Sequence, residues 1–151
     1  MRLLSSIRTG GAIATLLCAL TFPAKADDTH VALIKSVTGS VMVVRGNEQL
    51  PALSGARLFK TDRVVSGPAS TAGVVFKDGT LLSIGPASDV AIRDYGFDPR
   101  QNHFAFDLYM AKGSAVYSSG KIGKLAPEAV DISTPRATVG VRGTRFIIAA
   151  E

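Results

Sequence analysis

The amino-acid sequence predicts an all-β protein with a single compact domain of about a dozen short strands. Three observations support this class. Apolar runs are separated by turn-forming residues roughly every 8–12 positions, strict alternation marks Phe104–Met110, and no stretch has a sustained helical period. The pattern leaves open whether the strands form a β-roll, a solenoid-like stack or a sandwich.

The first 26 residues have the layout of a secretory signal peptide. Arg2 and Arg8 supply the positive charge, Ala12–Leu20 is a short apolar core, and Ala24-Lys25-Ala26 matches an A-x-A cleavage site. The apolar core is much shorter than the roughly 20 residues that a membrane-spanning helix requires. We therefore expect Sec-type export, cleavage after Ala26, and a mature domain of residues 27–151 in the periplasm or the medium.

Two alternatives to a cleaved leader stay open, a retained membrane anchor and a lipoprotein attached through Cys18. Leu17 is bulky at a position where a lipid-attachment site has a small residue, which disfavours the second. Cys18 is the only cysteine, so the expected mature chain forms no disulfide. Three of the 17 basic residues leave with the leader and the net charge falls from +5 to +2, which weakens any case for nucleic-acid binding.

Turn-forming residues divide the mature sequence into predicted elements. Thr38-Gly39 separates two short strands within Val31–Val44. Asp94–Asn102 is rich in Gly, Asp, Pro and Asn and is predicted to be a loop. Lys112-Gly113 is predicted to be a turn after the strand at Phe104–Met110.

The C-terminal third is predicted to contain the one non-strand segment. Ser118–Ala129 lacks alternation and is expected to be a loop with one helical turn. Ala137–Ala149 is expected to be an interrupted strand, because Gly140 and Gly143 indicate a bulge or a close backbone approach.

The segment Ala72–Ile92 contains the strongest hairpin signal, because Asp78-Gly79 lies between two apolar runs. A two-residue turn places Phe76 opposite Leu81 and makes both faces of the hairpin apolar. We therefore expect a scaffolding hairpin that is covered on both sides.

The order and spacing of several short motifs resemble those of the FecR domain family. Asp62-Arg63-Val64 is followed by Phe76–Thr80, and a Thr134-Pro135 segment leads to a G-T-x-F motif that ends at Phe146. The resemblance extends from about Val31 to Ile148. The residues that carry it are expected to be structural: Asp62, Asp78, Gly79, Thr80, Gly85, Pro86, Thr134, Pro135, Gly143, Thr144 and Phe146.

The resemblance implies a periplasmic, all-β, non-enzymatic domain. In signalling members of the family, this domain passes the occupancy of a transporter to a cytoplasmic sigma factor. The present sequence shows neither a cytoplasmic anti-sigma segment nor a retained membrane helix, so we expect it to be similar to the small, exported, single-domain members.

Three arginines, Arg136, Arg142 and Arg145, form the one cluster with a binding chemistry, since guanidinium groups pair with carboxylates on a ligand or an acidic partner. The favoured alternative is that they alternate with core residues as solvated or ion-paired strand positions. No catalytic, metal or cofactor residues are predicted, because one histidine near scattered carboxylates, His103, is a poor metal pattern.

These observations favour a non-catalytic module for protein interaction or envelope sensing, whose partner is another envelope protein or an unidentified ligand. The first alternative is a structural envelope protein that forms oligomers through exposed strand edges. A second alternative is a small β-barrel enzyme with His103 near its centre.

Overall fold

The computed structural model describes residues 29–141 and 145–151, and this part of the chain contains twelve strands. The strands are β1 (Ala32–Thr38), β2 (Val41–Arg45), β3 (Glu48–Pro51), β4 (Arg57–Leu58), β5 (Arg63–Ser66), β6 (Thr71–Phe76), β7 (Leu81–Ile84), β8 (Asp89–Asp98), β9 (His103–Ser118), β10 (Val130–Ser133), β11 (Thr138–Gly140) and β12 (Arg145–Ala150). The predicted all-β class and single domain are confirmed. The predicted leader, Arg142, Gly143 and Thr144 lie outside the described residues.

The strands form one curled open sheet in the order β3-β2-β5-β8-β9-β7-β6-β1-β4. Strand β9 joins its two halves. Its first part pairs antiparallel with β8 and, over Phe106–Tyr109, parallel with β10. Its last part, Gly113–Ser118, pairs with β12 and over most of its length with β7. Strand β11 is added to the sheet through β10.

The inner faces of the two halves enclose one hydrophobic core. An aromatic cluster lies where they meet: the ring of Phe76 on β6 is 5.5 Å from that of Tyr95 on β8 and 4.8 Å from that of Phe106 on β9. Tyr117, fully buried on β9, extends the cluster toward β12. Edge-to-face ring packing of this kind adds to the stabilisation from burial alone.

Two predicted breaks, one in β8 and one at Lys112-Gly113 in β9, are wrong. Strand β8 continues to Asp98, so the loop is much shorter than the predicted Asp94–Asn102. Strand β9 also continues through Gly113, which has a φ of +94°. A glycine in this conformation lets a strand bend without ending, and β9 changes partners at this residue.

The C-terminal third contains the predicted helical turn, α1 (Lys121–Leu125), followed by a 3-10 turn at Pro127–Ala129. The predicted single strand over Ala137–Ala149 is wrong, because β11 and β12 are separate strands with different partners, β10 and β9. Within residues 29–141 and 145–151, no helix has the length and apolar character needed to cross a membrane.

The hairpin at Asp78-Gly79 has a three-residue loop, so the predicted register is wrong by one residue. Phe76 donates its N–H to the carbonyl of Thr80 and accepts from the N–H of Gly79, both at 2.9 Å. Gly79 has a φ of +85°. This is a turn closed by a glycine bulge. Val75 therefore lies opposite Leu81, and Leu81, instead of being covered, is 49% exposed.

A Gly-Pro-Ala-Ser turn occurs twice, at residues 67–70 and 85–88, and each turn binds a Gly-Ser pair. Ser70 Oγ accepts the N–H of Ser40 at 2.9 Å, and Ser88 Oγ accepts the N–H of Ser114 at 3.0 Å. The Ser40 and Ser114 carbonyls each accept from the first glycine of their turn. This repeat was visible in the sequence, but its significance depends on the paired Gly-Ser segments.

We predict that Gly113→Ala destabilises the protein far more than Gly46→Ala. Both glycines have positive φ, but a Cβ at Gly113 would overlap the Cα and Oγ of Ser88, whereas a Cβ at Gly46 meets nothing within 4 Å. Gly46→Ala is expected to cost about 1 kcal/mol and Gly113→Ala more than about 3 kcal/mol. Urea unfolding of both variants measures this difference. Equal losses would contradict the close approach of β9 to the Ser88 turn.

Candidate functional site

The family motif Asp78-Gly79-Thr80 is the centre of a buried hydrogen-bond network. Asp78 is 1% exposed, and its carboxylate accepts four hydrogen bonds. The donors are the N–H and hydroxyl of Thr80, the hydroxyl of Tyr95 and the N–H of Ile122, at distances between 2.7 and 3.2 Å. A buried carboxylate is tolerated when its lone pairs are satisfied in this way.

The network connects three parts of the chain that are distant in sequence. Tyr95 on β8 also accepts the N–H of Asp78 at 2.8 Å. The carbonyl and carboxylate of Asp78 accept the N–H groups of Lys121 and Ile122, so Asp78 caps α1 from outside the helix. Burial raises the pKa of the Tyr95 phenol, and the neighbouring Asp78 raises it further. Tyr95 is therefore a neutral donor at physiological pH.

A second motif aspartate, Asp62, is fully buried beside an arginine. Arg45 donates to both of its carboxylate oxygens, at 2.9 and 2.8 Å, and the N–H of Phe59 donates to one of them at 2.9 Å. The guanidinium also lies 4.5 Å from the centre of the Phe59 ring. This bidentate pair joins β2 to the turn before β5, and the hydrogen bond raises the pKa of Arg45.

Tyr95→Phe is predicted to reduce the free energy of unfolding by about 1–3 kcal/mol, because it leaves the buried N–H of Asp78 without its acceptor. Tyr109→Phe is the matched control. Tyr109 is half-buried on the outer face of β9, and we expect a change within about 0.5 kcal/mol. Denaturant unfolding compares the two variants. A Tyr95→Phe variant as stable as Tyr109→Phe would contradict the role of this network.

The outer surface of the half-sheet β1-β6-β7-β9-β12 is an apolar face. We define it by Leu33, Val75, Leu81, Ser83, Val116 and Ile147. Their neighbours along each strand are buried in the core, so these side chains point outward. Leu81 is 49% and Ile147 75% exposed. Large exposed aliphatic side chains that share one face are typical of a binding surface.

One row of residues crosses this face through six strands and has an arginine at each end. The register aligns Arg57 on β4 with Leu33, Val75, Leu81 and Ser118, and then with Arg145 on β12. Five strand spacings of about 4.8 Å separate the two arginines by about 24 Å. None of the described residues in this row is acidic. The row therefore has aliphatic side chains in its middle and an arginine at each end.

The outer surface of the other half of the sheet is charged instead. Asp107 on β9 lies directly between Asp94 on β8 and Asp131 on β10. Asp94 pairs with Lys60 at 2.8 Å, which lowers the pKa of Asp94, and the Arg93 guanidinium lies over the ring of Tyr109. In the part of the chain that the structure describes, no three His, Cys, Asp or Glu side chains are arranged to hold a metal ion.

Asp107, the middle one of these three aspartates, is held in an unfavourable environment. One carboxylate oxygen of Asp107 is buried and has no hydrogen-bond partner among the described residues. Burial raises the pKa of Asp107; Arg93 opposes the rise, and Asp131 and Asp94 add to it. Because the folded-state pKa lies above the unfolded value, ionised Asp107 reduces stability, and this cost appears as the pH rises through the folded-state pKa.

We predict that Asp107→Asn raises the unfolding temperature at pH 7 and that this gain shrinks as the pH falls through the raised folded-state pKa of Asp107, because the native carboxyl then becomes neutral too. Asp131→Asn, at an exposed neighbour, is expected to give a smaller gain. Thermal unfolding between pH 3.5 and 8 tests this. A pH-independent difference, or a loss of stability at pH 7, would show that ionised Asp107 is not a cost.

The structure separates two of the three predicted arginines. Arg145 begins β12 opposite Ser118, whereas Arg136 lies in an exposed turn beside the other end of β12, where it lines a hollow with Ala149–Glu151. Five residue steps along β12, about 17 Å, separate Arg145 from Ala150 at that end. Arg142 is outside the described residues. Partner binding by these arginines stays a prediction, and Arg145 is the one that borders the apolar face.

The remaining motif residues occupy turns and core positions. Thr134 Oγ1 accepts the N–H groups of Arg136 and Ala137 and closes the turn that contains Pro135. Gly85-Pro86 begins the second Gly-Pro-Ala-Ser turn, and the ring of Phe146 packs 5.0 Å from that of Tyr117. His103 is exposed at the start of β9, against Gly96, at the tip of the β8–β9 hairpin and not at the centre of the domain.

These features define an all-β domain whose motif residues stabilise turns and whose apolar face and strand edges are open to contact. The family model described as FecR protein matches residues 62–151. The match covers more than half of the chain, so the chain belongs to the FecR family, and the predicted resemblance is confirmed. Members of this family are generally regulatory or signalling proteins without enzyme activity. No curated protein and no solved structure matches the chain.

The match begins at Asp62, but the structured domain begins earlier. Strands β1 to β4 precede the matched region and contribute Ile34, Val43 and Leu58 to the same core. They also supply Arg45, the partner of Asp62. The family region and the strands before it therefore form one structural unit.

Proposed function

We propose that this protein is an exported, non-catalytic FecR-family module that senses or signals in the cell envelope by binding another protein. The observation that carries the proposal is the apolar face, on which Leu81 and Ile147 are exposed at 49% and 75%. The family's generally regulatory character supports a binding role. The motif residues with distinctive chemistry, Asp62 and Asp78, are buried in structural networks and are inaccessible to a substrate.

The charges at the borders of the apolar face select the partner. Arg57 and Arg145 terminate its longest row. A complementary partner is an envelope protein with a patch of aliphatic side chains beside a carboxylate. Such a partner buries Leu81 and pairs its carboxylate with the guanidinium group of Arg145, which favours fast association and correct orientation.

Export is tested by mass spectrometry of the protein from its native source after cell fractionation. Cleavage after Ala26 is expected to give a periplasmic or secreted chain that begins at Asp27. An intact Met1 in the cytoplasmic fraction would overturn the envelope role.

Partner binding is tested by a photo-crosslinking side chain at position 81 in living cells, with position 53 as the control. Leu53 is 65% exposed but lies in the turn before β4, three strands from β7 in the sheet, and is not among the residues that define the apolar face. We expect position 81 to capture one envelope protein that position 53 does not. The captured protein is then purified, and its affinity is measured for the wild type, Leu81→Asp and Leu53→Asp.

Leu81→Asp is expected to weaken binding at least tenfold, since it places a carboxylate against an acidic-bordered apolar patch, whereas Leu53→Asp leaves the affinity within about twofold. Binding of the wild type is expected to weaken as salt is raised. Equal effects of the two substitutions, or crosslinking at both positions to the same proteins, would overturn the assignment of the apolar face.

A further inference from the structure

Strand β12 (Arg145–Ala150) forms an open edge of the sheet. Among the described strands, β12 pairs only with β9. An open edge presents unpaired backbone N–H and C=O groups, and proteins usually protect it with Lys, Pro or a bulge. The segment Phe146–Ala150 contains none of these residues, and its Ile147 is 75% exposed. Its edge is therefore suited to pairing with another strand.

We propose that the β12 edge pairs antiparallel with β12 of a second copy of this chain, with the two-fold axis at Ile148. Strand and flanking residue together read Arg145-Phe-Ile-Ile-Ala-Ala-Glu151, with opposite charges at the two ends. In this register, Arg145 of each copy lies opposite Glu151 of the other. Opposite charges at directly facing positions stabilise an antiparallel pair.

The register centred on Ile148 places opposite charges opposite one another and also pairs outward-facing side chains with outward-facing ones. Arg145, Ile147, Ala149 and Glu151 alternate with residues that point into the core, so they share the outer surface. A shift by one residue would place outward side chains opposite inward ones. A shift by two residues would place Arg145 opposite Ala149 and leave the charges unmatched. The central register also sets Ile147 against Ala149 of the second copy.

The surroundings of β12 suit this arrangement. Pairing continues the outer surface of one half-sheet into that of the second copy, and it covers part of the exposed Ile147. The far end of β12 borders a hollow of about 210 Å³ that is lined by Thr134–Arg136 and Ala149–Glu151. Arg136 of the same chain lines this hollow together with Glu151, and the incoming Arg145 would add a guanidinium group beside the Glu151 carboxylate.

A charge exchange tests the proposal on the purified full mature chain by sedimentation velocity. The wild type is expected to dimerise. Arg145→Glu and Glu151→Arg each place like charges opposite one another twice and are expected to raise the dimer dissociation constant at least tenfold. The double variant restores opposite charges and is expected to return to within about threefold of the wild type.

Matched substitutions distinguish edge pairing from nonspecific association through exposed apolar side chains. Ile147→Lys is expected to weaken the dimer at least tenfold, whereas Leu53→Lys, at a comparably exposed leucine outside the edge, leaves it unchanged. Circular dichroism and thermal unfolding establish that each variant is folded. A wild type that is monomeric at about 100 μM, or a double variant that dimerises no better than the single ones, would overturn the proposal.

This inference does not rest on the partner proposed above. Leu81 lies on β7, two strands from the β12 edge, and Leu81→Asp leaves the Arg145 and Glu151 charges in place. Loss of partner binding with an intact dimer, or the reverse, therefore identifies which of the two proposals fails.

Discussion

The buried carboxylate of Asp78 is the interaction on which most of the described structure depends. It accepts hydrogen bonds from its own turn, from β8 through Tyr95 and from the first turn of α1 through Ile122. Burying a carboxylate is costly unless its oxygens accept hydrogen bonds. The three segments are therefore held in one arrangement. Thr80 points inward to complete the network, so the next residue, Leu81, points outward.

The inward orientation of the Thr80 hydroxyl has a consequence at the surface. The three-residue loop that it requires shifts the hairpin register, and Leu81 becomes part of the apolar face. Gly113 has a comparable effect on β9, where a positive φ and contact with the Ser88 turn let one strand pair with two sets of neighbours. The two half-sheets consequently have different outer surfaces. One carries the aspartate row around Asp107, and the other is apolar with arginines at its borders.

Both proposed contacts use the same half of the sheet, but they use different properties of it. Partner binding depends on side chains in the middle of the face, such as Leu81, whereas self-association depends on the backbone edge and end charges of β12. Arg145 lies at the boundary between the two surfaces. A dimer would therefore join two apolar faces and could present a partner with a surface that a single copy lacks.

The sequence by itself determined the strand-rich class, the family and the approximate turns, because alternation, glycine and proline act over a few residues. It determined the helical turn at α1 for the same reason. It could not determine the hairpin register, the continuity of β8 and β9, or the separate partners of β11 and β12. The hairpin register and the bend in β9 depend on Tyr95, Ile122 and Ser88, which approach Asp78 and Gly113 only after folding. The partners of β11 and β12 depend on which strands lie beside them in the folded sheet. The arrangement of side chains on the apolar face also depends on the tertiary structure. Arg57 and Arg145 are far apart in the chain, and only the pairing of six strands places them at the two ends of one apolar row.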